Sequence, residues 1–155
     1  MKFIAMFGAA CVLLNGCTAV APLDRTGTGT IAPAEAVQLA AASAPAGVPG
    51  IFALRVQATG RQNGYLYLNS EADYRDQRNL SIAVSPSVIR VLTAQLGQDP
   101  AIALQGKRLL VSGDATRVPI HFVANGRMTD KYYYQTHVAV TDAAQIEVLR
   151  PHPDL

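Results

Sequence analysis

Among the residues of this 155-residue chain, six tyrosines and a spread of arginines are best equipped to meet a ligand. Tyr65, Tyr67 and Tyr133 are read as pointing outward, with Arg55, Arg61, Arg75, Arg78 and Arg117 on nearby strands or loops. Aromatic faces interleaved with guanidinium groups stack bases or sugars. The same residues also read as plain surface, with the tyrosines covering strand edges and the arginines paired to Glu71, Asp73 and Asp76.

Other chemistries find less support. If the hairpin turns near Met128, His121 and His137 lie across from each other on paired strands, close enough to share an ion. A structural zinc takes four protein ligands, and only Asp130 and Glu147 are candidates to add, so no metal site is expected. Glu71, Asp73 and Asp76 are too few and too loosely spaced for a calcium loop, and they read as a turn with local ion pairs to Arg75 and Arg78. The chain has no Gly-x-Ser-x-Gly elbow, no His-Glu-x-x-His, no phosphate-binding glycine loop and no free cysteine nucleophile. Ser70, Ser81 and Ser112 have no spacing to His121 or His137 that favours a nucleophile and base. The expectation is a non-catalytic protein that needs no cofactor.

The elements that must position these residues begin after a leader. Lys2 precedes an uncharged apolar run from Phe3 to Leu14, too short for a membrane span of about 20 residues and matching the charged and apolar regions of a secretory signal. Leu14-Asn15-Gly16-Cys17 then resembles the lipobox of bacterial lipoproteins, although Asn15 is bulkier and more polar than the usual Ala or Ser. An ordinary leader cleaved elsewhere would leave Cys17 a plain thiol. The resemblance implies that residues 1–16 are removed and that Cys17 carries diacylglycerol and anchors the chain to a membrane. Because Thr18 and not Asp follows, it further implies the outer membrane, facing the periplasm. Cys11 leaves with the leader, so the mature chain can form no internal disulfide. With 13 basic residues, Lys2 among them, against 11 acidic ones, the charge is near neutral and gives no support to steering of an anionic polymer.

Residues 17–48 are rich in Ala, Pro, Gly and Thr and read as a spacer, interrupted by a short helix over residues 34–42 that Pro33 starts. From Ile51 short alternating segments take over. Phe52, Leu54 and Val56 share one face, as do Leu66 with Leu68, and Leu80 with Ile82 and Val84. Ser85 is a suitable N-cap, Pro86 fits the first helical position, and Val88, Ile89, Val91, Leu92 and Leu96 form a stripe ending at Gly97. Leu109 and Val111 then face inward on a strand broken by Gly113. Val118, Ile120, Phe122 and Ala124 alternate next, read as facing inward with His121 and His137 pointing outward, followed by the turn Asn125-Gly126 and a return strand through Tyr132, Tyr134, Val138 and Val140. Ile146 and Val148 mark a last short strand before the polar tail 151–155.

Three strands, a helix and two or three strands is the order of the oligonucleotide/oligosaccharide-binding (OB) fold. Gly64-Tyr65-Leu66-Tyr67-Leu68-Asn69, Asp73-Tyr74-Arg75, Leu104-Gln105-Gly106-Lys107 and Asp142-Ala143-Ala144-Gln145-Ile146-Glu147, set around the helix, resemble small bacterial OB-type domains from about Pro49 to Leu149. The segment from Arg117 to Val140 departs from that pattern, being longer than a tight hairpin. The resemblance implies a mainly β domain over residues 49–150, a five- to six-stranded OB-like barrel with one helix between strands three and four. It further implies a binding face containing Tyr65, Tyr67, Arg75, Arg78, Arg117 and Tyr133, presented to an envelope protein or glycan. A structural or assembly accessory that docks through the tyrosine-rich hairpin is the alternative. Single-stranded nucleic acid ranks last, since fold analogy alone suggests it.

Overall fold

The alternating segments of the sequence become the strands of one mixed sheet. The computed structural model describes residues 29–150; the leader, Cys17, the first part of the spacer and the polar tail lie outside the described residues. In chain order the elements are β1 (Thr30–Ile31), α1 (Pro33–Ser43), β2 (Val48–Arg55), β3 (Ala58–Gln62), β4 (Tyr65–Asn69), β5 (Leu80–Val84), α2 (Pro86–Leu96), α3 (Pro100–Ala103), β6 (Arg108–Ala124), β7 (Arg127–Val140), a 3-10 turn (Ala143–Gln145) and β8 (Ile146–Leu149). The strands follow one another across the sheet as β1-β2-β6-β7-β5-β4-β3, with β8 also paired to β6. All neighbours run antiparallel except β1 with β2 and β5 with β7.

Two features of the expected architecture are corrected. The hydrogen-bonded path has two ends, β1 and β3, so the sheet is not closed into a barrel. At one of those ends β1 covers the edge of β2 that a closing strand would take. The described residues also contain three helices, α1, α2 and α3, where one was expected in the barrel and a short one in the spacer. The anticipated helix is α2: Ser85 accepts from the Val88 amide, Pro86 opens the first turn, and Gly97 closes it at φ 70°. Its buried stripe is narrower than the sequence implies, with Val88 and Leu92 inside and Val91 exposed.

The predicted helix in the spacer is α1, yet it does not lie in a spacer. Ala36 and Ala40, one turn apart, are both fully buried in the same core as Phe52, Leu66, Ile82, Val111 and Val138. The packed domain therefore includes α1 and Ile31, well ahead of residue 49. Alanine is what a helix offers when it must approach a sheet closely, and a compositional reading takes the same residues for lack of anything to bury.

Gly113 does not break its strand either. β6 continues through it for 17 residues, so the inward parity of Leu109 and Val111 carries on to Ala115, which pairs with buried Val138. Val118 and Ile120, expected on the inner face, consequently lie on the other one. A Cβ at Gly113 would come within 2.9 Å of Val138 Cγ1 and 3.3 Å of Gln145 Nε2, so glycine here allows a close approach. The two hairpin turns are Asn63-Gly64 and Asn125-Gly126, all four residues at positive φ, the backbone that matches the twist of a two-residue hairpin.

The placement of α1 is tested by Ala40→Asp. A carboxylate at a fully buried position without a partner is expected to lower the unfolding free energy by about 3 kcal/mol or more. In a spacer helix the change would be nearly silent in thermal or denaturant unfolding.

Candidate functional site

β4 alternates, so Leu66 and Leu68 enter the core while Tyr65, Tyr67 and Asn69 face the opposite side of the sheet. On that side Tyr67 has Gly60 of β3 as one register partner and Ala83 of β5 as the other. Neither neighbour has a side chain long enough to cover a phenol ring. Tyr67 therefore presents its ring between Tyr65 and His137, with ring centroids 6.5 Å and 5.7 Å away.

A groove of about 650 Å³ runs over this surface. Its floor is Tyr67, Asn69, Ser81 and His137; Gly60 and Arg61 of β3 and Tyr74 of the β4–β5 loop form one side; Ile120, Tyr133 and Gln135 of the β6–β7 hairpin form the other. The parity of β6 that the sequence reading missed by one residue is thus what gives the groove an apolar wall at Ile120. Along β7, His137 Nε2 lies 2.7 Å from Gln135 Oε1, and Gln135 Nε2 donates to the Tyr133 hydroxyl over 2.9 Å. A carbonyl oxygen only accepts, so Nε2 carries a proton. Burial holds the His137 imidazole below its ordinary range, which keeps it neutral.

The loop between β4 and β5 is fixed by a buried polar cluster. Asn79 donates to Ser81 Oγ (2.9 Å), Asn69 Oδ1 (3.3 Å) and the Tyr74 carbonyl (3.4 Å). Its own oxygen accepts from the Glu71 amide at 3.1 Å. Ser81 Oγ donates to Asn69 Oδ1 at 2.8 Å. Ser81 is the register partner of His137, one of the pairings considered for a nucleophile and base, but its hydroxyl is buried and directed at Asn69 while the imidazole is directed at Gln135. An activated hydroxyl would need those two bonds to be exchanged for one between them.

The site residues named from sequence are divided by the fold. Tyr67 and Tyr133 meet in this groove, with Tyr65 beside Tyr67. Arg75 and Arg117 instead line a second groove of about 590 Å³, on the other side of Tyr133 and Gln135, together with Val37 and Ala41 of α1. Arg78 lines neither and is held by Asp76, through Nε at 3.1 Å and Nη2 at 2.8 Å, while the same interaction draws the Asp76 carboxyl down to about 2. That is the local ion pair expected for the loop. Arg75 departs from the expectation, since its guanidinium sits 4.6 Å over the Tyr74 ring and Asp73 caps only its backbone amide. Arg61, which borders the first groove, is bound to Asp99 at 2.6 Å, and Asp99 is itself held low by the Ala101 amide and then by Arg61.

His121 and His137 do not come together. The hairpin turns at Asn125-Gly126, His121 stands opposite Tyr132 and His137 opposite Thr116, and the two rings are on different faces of the ribbon. Sequence reasoning missed Asn69, Asn79 and Gln135 as site residues and weighed Ser81 only as a nucleophile. A polar residue in or beside a strand has no pattern of its own, and only the folded loop buries Asn69, Asn79 and Ser81. No protein-family model and no curated protein matches this chain.

The state of His137 has a consequence for stability. The unfolded chain takes up a proton on this residue near pH 6.5 while the fold resists it, so the folded state binds fewer protons in that range. Stabilisation is complete above about pH 6.5 and declines as the pH falls towards the depressed folded value. Thermal midpoints measured from about pH 7.5 down to about pH 5 should fall more steeply for the unaltered chain than for His137→Gln. Equal slopes would remove His137 as a source of the acid sensitivity.

Proposed function

We propose that this chain is a lipid-anchored, non-catalytic binding module of the bacterial envelope that takes a glycan into the groove over Tyr67. The observation that carries the reading is the row Tyr65, Tyr67 and His137, with small residues either side of the central ring. Flat faces in a row suit ring-shaped units that stack while their hydroxyls reach polar side chains. Gln135 and the Tyr133 hydroxyl supply such groups in the same groove.

Charge separates a glycan from a nucleic acid. A groove that tracks phosphates needs free cations along it, whereas the arginine bordering this one is engaged by Asp99 and the whole chain has a formal net charge of +2. The OB-like reading of the domain belongs with this proposal. Its support is the strand succession: β2 and β3 follow each other with only Val56 and Gln57 between, then β4, β5, the helix α2, β6 and β7. In OB folds the outer face of the second and third strands receives the ligand, and β4 and β5 occupy those places once β2 and β3 are counted as one bent strand.

The anchor follows from the resemblance of Leu14-Asn15-Gly16-Cys17 to a lipobox, and an outer-membrane, periplasm-facing position from Thr18. Docking of the hairpin on another envelope protein is the second reading. What favours it is the exposed apolar tip, with Phe122, Val123 and Met128 each more than half accessible.

Titration with soluble N-acetylglucosamine oligomers tests the glycan reading. Tyr67→Ala and Tyr133→Ala should each weaken binding about tenfold while the domain stays folded; affinity unchanged in both would take the groove out of the site. For the anchor, Cys17→Ser should move the protein from the membrane fraction to the soluble one. Continued membrane partition of that variant would refute lipidation at Cys17.

A further inference from the structure

We propose that the second groove is a separate site for an oxyanion group, a carboxylate or phosphate, carried on an apolar or aromatic body. This inference does not rest on the glycan reading of the first groove.

The groove combines two kinds of surface. Arg75 and Arg117 both line it, and neither makes an ion pair among the described residues, in contrast to Arg61 and Arg78. Each sits over a tyrosine ring instead: the Arg117 Cζ is 3.7 Å from the centroid of Tyr134, and the Arg75 Cζ is 4.6 Å from that of Tyr74. A cation–π contact does not use up the N–H donors of a guanidinium, and those donors meet an oxyanion through two parallel hydrogen bonds. A cation held in this way also loses less side-chain freedom on binding than one extended into solvent.

The remaining wall is apolar, from Val37 and Ala41 of α1 and Phe122 of the hairpin. A bare inorganic ion would leave that wall in contact with water, so the favoured ligand has a hydrophobic portion behind its charged group. One carboxylate does face the groove, that of Asp76. Both its oxygens are occupied by Arg78, Oδ1 by the backbone amide and Nε and Oδ2 by Nη2, so its charge is opposed where it stands.

The test uses the full chain in detergent, followed by NMR at the amides of Arg117 and Tyr134, with benzoate, phenyl phosphate and neutral benzyl alcohol as probes. Saturable shifts are expected with at least one anion and not with the alcohol. Arg75→Gln and Arg117→Gln should each weaken that binding about tenfold, as expected for loss of a charged hydrogen bond, with Arg→Lys at the same positions recovering part of it. Tyr67→Ala should leave it unchanged, which keeps the outcome independent of the first groove. Tighter benzoate identifies a carboxylate and tighter phenyl phosphate a phosphate. Absence of saturation by both anions, equal binding of benzyl alcohol, or full affinity in folded arginine variants would overturn the proposal.

Discussion

The pairing of β6 governs where everything else goes. At 17 residues it is about three times the usual strand of 5–6, and no one neighbour can satisfy its whole length. Its first half, Arg108–Ala115, takes β2 on one edge and, at Arg108–Val111, β8 on the other; its second half pairs with β7. Between β8 and β7 the sheet forks, because β7 leaves β6 after Val138 and continues beside β5. A fork exposes backbone groups on both branches, and unpaired buried groups are costly. Gln145 fills the gap, donating to the Ser112 carbonyl at 2.8 Å and the Ala139 carbonyl at 3.2 Å while its oxygen accepts from the amides of Thr141 and Asp142. Gly113, with no side chain, lets Gln145 and Val138 approach.

From that fork the two grooves follow. Because β5 joins β7 only from Thr136 onward, the outer part of the β6–β7 ribbon rises beyond the sheet and supplies a wall on each side. The loop that faces it must then be held without a strand partner. Asn79 does this with hydrogen bonds to Asn69, Ser81, Glu71 and Tyr74, and Ser70 adds one to the Leu80 amide at 2.9 Å. A polar cluster is costly when incomplete and rigid when complete. Every fully buried side-chain polar atom among the described residues has a partner, so Tyr74 and Arg75 stand on a fixed support.

Much of this was legible from residue order alone, and what was hidden has a physical cause. Alternation in 52–56, 66–68 and 80–84 identified the core faces, and Ser85, Pro86 and Gly97 bounded α2. Asn125-Gly126 marked its turn because few other residue pairs accept that backbone. Glycine at 113 looked like a break, since a glycine needed for close approach and one needed for a turn are identical in sequence. That reading moved the apolar alternation of β6 onto the wrong face. Alanine in α1 gave the same ambiguity between close packing and low complexity. Closure of the sheet depends on which edges find partners, and a two-residue strand such as β1 leaves no periodicity to read.

The separation of Tyr67 from Arg75 and Arg117 is the part of the site that sequence could least supply, and it bears on chemistry. All were grouped as one aromatic and cationic face, which would suit a polyanion. Folding places Tyr133 and Gln135 between them, with the stacking row on one side and, on the other, two guanidinium groups that make no ion pair among the described residues. The row keeps company with neutral His137 and with an arginine already satisfied by Asp99. Interactions between charges weaken over about 8–10 Å in physiological salt, so a ligand lying along Tyr67 meets mainly hydrogen-bonding groups, whereas one lying against Tyr134 meets cations backed by apolar surface. One hairpin therefore offers two chemically distinct surfaces, and the boundary between them is the side-chain chain from His137 through Gln135 to Tyr133.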